Sequence, residues 1–186
     1  MRYRITAMLL LYSVMAFSQT KKRPGIVPDQ LKLQYAGSIG FISAGAGYEW
    51  AKQKINGDLY YGFVPAGVGG VDIHTITTKF TWLPLSKTLD NHIKIDFLTA
   101  GILINYAFGK RYHLFSDTKN TFVYYGFPTA AHFAIFEGGG ISKGKFGLYY
   151  ELGITDKNIA SFISNTKAIP FFEIVNIGLG AKYSLH

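Results

Sequence analysis

The stretch Val175-Asn176-Ile177-Gly178-Leu179-Gly180-Ala181-Lys182-Tyr183-Ser184-Leu185-His186 decides the fold. Val175, Ile177, Leu179, Ala181, Tyr183 and Leu185 fall on one face of an extended chain, and Asn176, Gly178, Gly180, Lys182, Ser184 and His186 on the other. Side chains in a strand alternate sides, so this segment is a strand with one apolar and one small or polar face. A soluble sandwich and a membrane barrel both produce that pattern, and a single strand does not separate them.

The same rhythm recurs upstream. Phe146, Leu148, Tyr150, Leu152 and Ile154 alternate with Lys145, Gly147, Tyr149, Glu151 and Gly153. Ile55, Leu59, Tyr61 and Phe63 alternate with Asn56, Asp58, Tyr60 and Gly62, and Ile42, Ala44, Ala46, Tyr48 and Trp50 with Ser43, Gly45, Gly47 and Glu49. Eight strands are predicted, at 31–37, 39–51, 55–64, 71–83, 92–107, 129–141, 144–154 and 172–185. The stretch 31–50 could also be one long bent strand. Connections at 52–54, 84–91 and 142–143 are short, whereas those at 65–70, 108–128 and 155–171 are mostly longer. Outer-membrane barrels put short turns on the periplasmic side with both termini, which requires an even strand count and favours the division. Ile159, Phe162 and Ile163 break the period and predict a short helix within 155–166, which Pro170 ends.

Composition agrees with strands. Of 186 residues 48% are hydrophobic, with 13 Tyr, 15 Phe and 21 Gly, yet no internal apolar run reaches the roughly 18 residues of a membrane helix. The N-terminus carries Arg2 and Arg4, an apolar run from Ile5 to Phe17, and small residues at Ala16 and Ser18, the pattern of a cleavable secretory signal. The expected organisation is a signal peptide at 1–18, a periplasmic leader at 19–30 and a barrel at 31–186. The absence of cysteine suits an oxidising compartment and removes thiolate metal sites, a Cys nucleophile and a lipoprotein anchor. Arg2 and Arg4 supply two of the net charge of +8, so +6 remains on the exported chain. An exported protein does not meet nucleic acid. Lys21, Lys22, Arg23, Lys110 and Arg111 suit a solvated tail and loop, or the phosphates of lipid headgroups and lipopolysaccharide.

With its signal, its eight-strand rhythm and the terminal Gly178–His186 strand, the chain resembles the small Gram-negative outer-membrane β-barrel proteins. The resemblance implies an all-β, antiparallel up-and-down barrel inserted by the barrel-assembly machinery. It implies no particular activity, because such barrels serve as adhesins, anchors, pores and lipid-modifying enzymes. A closed barrel needs no partner for its edges, so a monomer is expected.

Candidate chemistry falls into three groups. Glu49, Asp58, Lys79, Glu151 and Lys182 lie opposite the apolar stripe, where opposite charges in a narrow lumen would pair and hold the barrel shut. His74, followed by Thr75 and preceded by Asp72, loosely resembles the His-Ser pair of outer-membrane lipid A deacylases, with His74 as base, Asp72 orienting it and Thr75 in the place of serine. His132 could be a lumen base reaching Ser43 or Glu151. No metal-ligand spacing joins His92, His113 and His186, and Gly67–Gly70 and Gly138–Gly140 lack the context of phosphate loops, so no cofactor is expected. Tyr48, Trp50, Tyr61, Trp82, Tyr106, Tyr124, Tyr125 and Tyr183 stand near strand ends as an interfacial girdle would. The expected role is structural or loop-mediated binding; the alternatives are a lipid A hydrolase and a narrow pore.

Overall fold

In the computed structural model, which describes residues 27–89, 93–108, 130–164 and 170–185, the chain closes into a barrel. Its strands are β1 (Gln30–Ala36), β2 (Ile42–Trp50), β3 (Ile55–Val64), β4 (Ile73–Leu89), β5 (Ile93–Phe108), β6 (Ala131–Lys143), β7 (Phe146–Thr155) and β8 (Val175–Ser184). Each pairs antiparallel with its sequence neighbours, and β8 returns to β1 with Gln30 opposite Ser184 and Tyr35 opposite Leu179. No strand is left with an open edge, so the hydrogen-bonding demand of the backbone is met within the ring. A single helical turn, α1 (Ala66–Gly69), follows β3, and the short helix α2 (Asp156–Ser164) follows β7.

The predicted eight strands and the division of 31–50 into two are present, as is the helix after β7. Several boundaries differ, among them the start of the eighth strand, which follows a 3-10 turn at Phe171–Ile174, and three of the others have clear physical reasons. The second strand begins at Ile42 and not 39, because the β1–β2 turn folds inward and buries Ile39 completely. The segment 84–91 is mostly strand: β4 absorbs Pro84 at an irregularity between Trp82 and Leu85 and then pairs on to Leu89. Ser142 and Lys143 belong to β6, and the turn falls on Gly144 and Lys145 instead. Residues 1–18, most of the leader, Lys21, Lys22, Arg23, His92, Lys110, Arg111, His113, Tyr124, Tyr125 and His186 lie outside the described residues.

The barrel is polar inside and apolar outside. Lys79, Asp58, Thr77, Gln34 and Gln30 are buried within the ring, whereas Leu59, Trp82 and Ile102, each more than half exposed, stand on its outer wall. The apolar part of the interior is a small cluster of Ile39, Tyr60, Leu103, Ala134 and Phe136. The chain enters β1 and leaves β8 at the end where β2 turns into β3, β4 stops, β5 starts and β6 turns into β7. The other end, where β1 turns into β2, β3 passes into α1, β5 stops, β6 starts and β7 passes into α2, is called here the loop end.

Candidate functional site

The interior is built in layers, each set by the inward positions of several strands. Deepest from the loop end, β1 and β3 bring Lys32 Nζ within 2.7 Å of Asp58 Oδ2, and Gln30 Nε2 donates to Asp58 Oδ1 at 3.2 Å. Next to it lies a second acidic centre on β5. Asp96 receives the Lys182 ammonium at 3.1 Å and the Ser86 hydroxyl at 2.8 Å, with Lys94 3.8 Å away. Burying charge is costly unless it is paired and hydrogen-bonded, and both carboxylates meet that condition.

At mid-barrel the Lys79 ammonium of β4 pairs with the Glu151 carboxylate of β7 across the lumen. Gln34 Oε1 accepts from the Tyr149 hydroxyl at 3.1 Å, and the Tyr60 and Tyr149 hydroxyls share a hydrogen bond of 3.2 Å. The same ammonium lies 4.6 Å from the ring centre of Phe136, 5.4 Å from that of Tyr60 and 5.6 Å from that of Tyr149. Three ring faces and one carboxylate replace the water that a lysine normally keeps. This layer fills the lumen with side chains, as a ring of eight strands allows.

Above it the β1–β2 turn forms a plug. Ala36, Gly37 and Gly40 take positive φ of 58°, 81° and 146°, which reverses the chain sharply enough to drop Ile39 into the barrel. The Ile39 carbonyl accepts from the Thr75 hydroxyl at 2.6 Å and the Ser43 hydroxyl at 3.3 Å, and the Ser38 carbonyl from Asn105 Nδ2 at 3.0 Å. Over the plug a cavity of about 380 Å³ opens at the loop end, lined by Ser38, Phe41, Val64, Val68, Asn105 and His132 among others.

Of the charges singled out in the sequence, the structure places Asp58, Lys79, Glu151 and Lys182 in ion pairs inside the ring. Glu49 is half-buried near the β2–β3 turn; its backbone N–H donates to Asp29 at 2.9 Å, and its carboxylate has no ion-pair partner among the described residues. His74, Asp72 and Thr75 are not brought together. Thr75 is buried inside on the plug, while His74 is exposed on the outer wall with Nδ1 2.6 Å from the Tyr61 hydroxyl and its ring against Phe63. Asp72 accepts the Ala66 N–H at 2.7 Å, which holds α1. His132 faces Asp156 at 3.6 Å at the start of α2, while Ser43 and Glu151 are engaged with Ile39 and Lys79. No group of three or more metal-ligating residues forms among the described residues.

The sequence reading missed Gln30, Lys32 and Gln34, although period-two alternation in β1 sets them opposite Leu31, Leu33 and Tyr35. It also missed Asp96, because a bulge at Phe97 and Leu98 breaks the alternation of β5. Compared with known proteins, the chain matches no family model, no curated protein and no solved structure.

Proposed function

We propose that this chain is an integral outer-membrane barrel of a Gram-negative cell, with periplasmic termini and a structural or binding role exercised through its loop end. The observation that carries the proposal is inverted polarity: the strands turn most of their large apolar side chains outward, and the ion pairs of the lumen face in. A water-soluble barrel would expose on all sides an apolar surface far larger than the few hundred Å² that soluble monomers tolerate. In a bilayer that surface is solvated by acyl chains, and ring closure satisfies the backbone that lipid cannot.

Trp50, Tyr35, Tyr61 and Tyr183 toward the strand ends suit headgroup depth. The longer connections, the plug and the cavity above it make the loop end the recognition face, since loops on a rigid scaffold carry binding. The lumen layer around Lys79 supports a sealed barrel over a pore, and the separation of Thr75 from His74 supports binding over ester hydrolysis. The partners are then outer-membrane lipid and lipopolysaccharide, and the barrel-assembly machinery during insertion.

Gel mobility of the detergent-folded protein with and without boiling tests this reading. A folded band that migrates apart from the boiled band is expected. A protein that stays monomeric and soluble without detergent, with no mobility shift, overturns it.

A further inference from the structure

The outer wall is not uniformly smooth. β6 carries three consecutive glycines, Gly138, Gly139 and Gly140, and beside them Phe97 and Leu98 of β5 fall at a register shift and pair with no β6 residue. With Gly139 as its floor, a groove of about 460 Å³ opens there, walled by Ile95 and Phe97 of β5, Leu148 and Tyr150 of β7, and Leu179 of β8. A Cβ at position 139 would stand 3.2 Å from the Tyr150 ring, so glycine keeps the groove open. Its volume falls within the range of about 300–1,000 Å³ typical of ligand sites. Asp96 also borders it, but that carboxylate is held by Lys182 and Ser86.

One end of this groove is basic. Ile141 of β6 lines it, and Lys143 comes two residues later in the same outward row. Ile95, on the β5 wall, lies directly opposite Lys87 of β4. Lys87 and Lys143 are the lysines turned outward on the described strands; both are exposed, and neither has an ion-pair partner among the described residues. They flank β5 on its two sides, so strand spacing sets their backbones about 10 Å apart across it. Long apolar stems let both ammonium groups lie along the wall and converge at the mouth of the groove. At the opposite end Glu137 precedes Gly139 by two residues on the same row. The groove therefore runs from acidic to basic, and an anion fits its Lys87–Lys143 end.

We infer that this groove binds an anionic diacyl phospholipid of the periplasmic leaflet, with the phosphate between Lys87 and Lys143 and one acyl chain over Gly139. The inference rests on the membrane reading and deepens it by naming a lipid class and its site. Both lysines stand at the end where the chain enters β1 and leaves β8, the periplasmic side in that reading. The apolar lining is continuous with the lipid-facing wall, so the acyl chain of a lipid at the wall enters it directly. A zwitterionic lipid carries its own cation beside the phosphate. A net-anionic headgroup instead takes the two ammonium groups as its counter-charges.

Acyl chains that carry bromine quench a nearby tryptophan, so a single reporter shows which lipid occupies the wall. In a Trp50→Phe/Trp82→Phe background, Ala181→Trp sets the reporter opposite Leu148 and two residues from Leu179. Ala44→Trp sets it on the outer face of β2, away from the groove. In phosphatidylcholine vesicles, brominated phosphatidylglycerol should outcompete brominated phosphatidylcholine about tenfold or more at Ala181→Trp, and within about twofold at Ala44→Trp. Each lysine near an anionic headgroup contributes about fivefold, so Lys87→Gln/Lys143→Gln should bring the preference at Ala181→Trp down to that at Ala44→Trp. Heat-shifted gel mobility verifies folding of each variant. Equal preference at the two reporters, or a preference that survives Lys87→Gln/Lys143→Gln, overturns the site and leaves the membrane reading standing. Absence of quenching by either brominated lipid at both reporters overturns the membrane reading itself.

Discussion

Lys79 of β4 and Glu151 of β7 meet across the lumen, both buried, three strands apart round the ring. Their contact joins opposite walls of the barrel at mid-height, where Phe136, Tyr60 and Tyr149 exclude water from it. Removing one partner strands the other as an uncompensated buried charge. Glu151→Ala should therefore cost about 3–5 kcal/mol of stability, measured by urea unfolding in lipid vesicles. The double variant Lys79→Met/Glu151→Leu should be far less destabilised than the sum of Lys79→Met and Glu151→Leu, and additivity would show that the pair is not coupled.

The plug should behave as a packing element. Ile39 is wholly buried, so Ile39→Ala should cost about 2–5 kcal/mol. Gly62 lets the turn sit this deep: a Cβ there would collide with the Ile39 carbonyl and the Thr75 hydroxyl. Gly62→Ala should cost about 1–3 kcal/mol, and unfolding midpoints equal to the parent's for both variants would contradict the inward position of the turn.

The β2–β3 turn holds three consecutive non-glycine residues in the left-handed region, Ala51, Lys52 and Gln53, with φ of 51°, 58° and 64°. Each conformation costs an L-residue about 1–2 kcal/mol, a cost that glycine does not bear. Gln53→Gly should stabilise the barrel by about 0.5–1 kcal/mol in the same unfolding measurement, and a loss of stability would count against this turn geometry.

Lipid A chemistry separates the binding reading from the hydrolase. With Thr75 inside on the plug and His74 outside against Tyr61, mass spectra of lipid A from cells with and without the protein should be identical. A lost acyl chain that returns on His74→Ala would restore the enzymatic reading.

Strand number, pairing order and the helix after β7 were legible because alternation and loop length are local signals that the ring only had to assemble. The boundaries that moved are those where non-local contact overrides a local cue. Pro84 and Ser86 look like a turn, yet β5 pairs alongside and draws them into β4. Ile39 looks like the start of a strand, yet the lumen offers it a dry site between Tyr60 and Phe136. Among site residues, the lumen face of β2, β3, β7 and β8 was readable by period, whereas Asp96 sits beside a bulge that period-two reading cannot cross.

The central claim is that the outer wall meets lipid and not water, and the two tryptophans test it most directly. Trp50 and Trp82 are the only Trp residues, and both point outward, 49% and 58% exposed. Reconstituted in vesicles whose acyl chains carry bromine, the protein should lose most of its tryptophan fluorescence relative to unbrominated lipid, while aqueous iodide quenches little. Fluorescence indifferent to brominated chains and open to iodide would contradict the account.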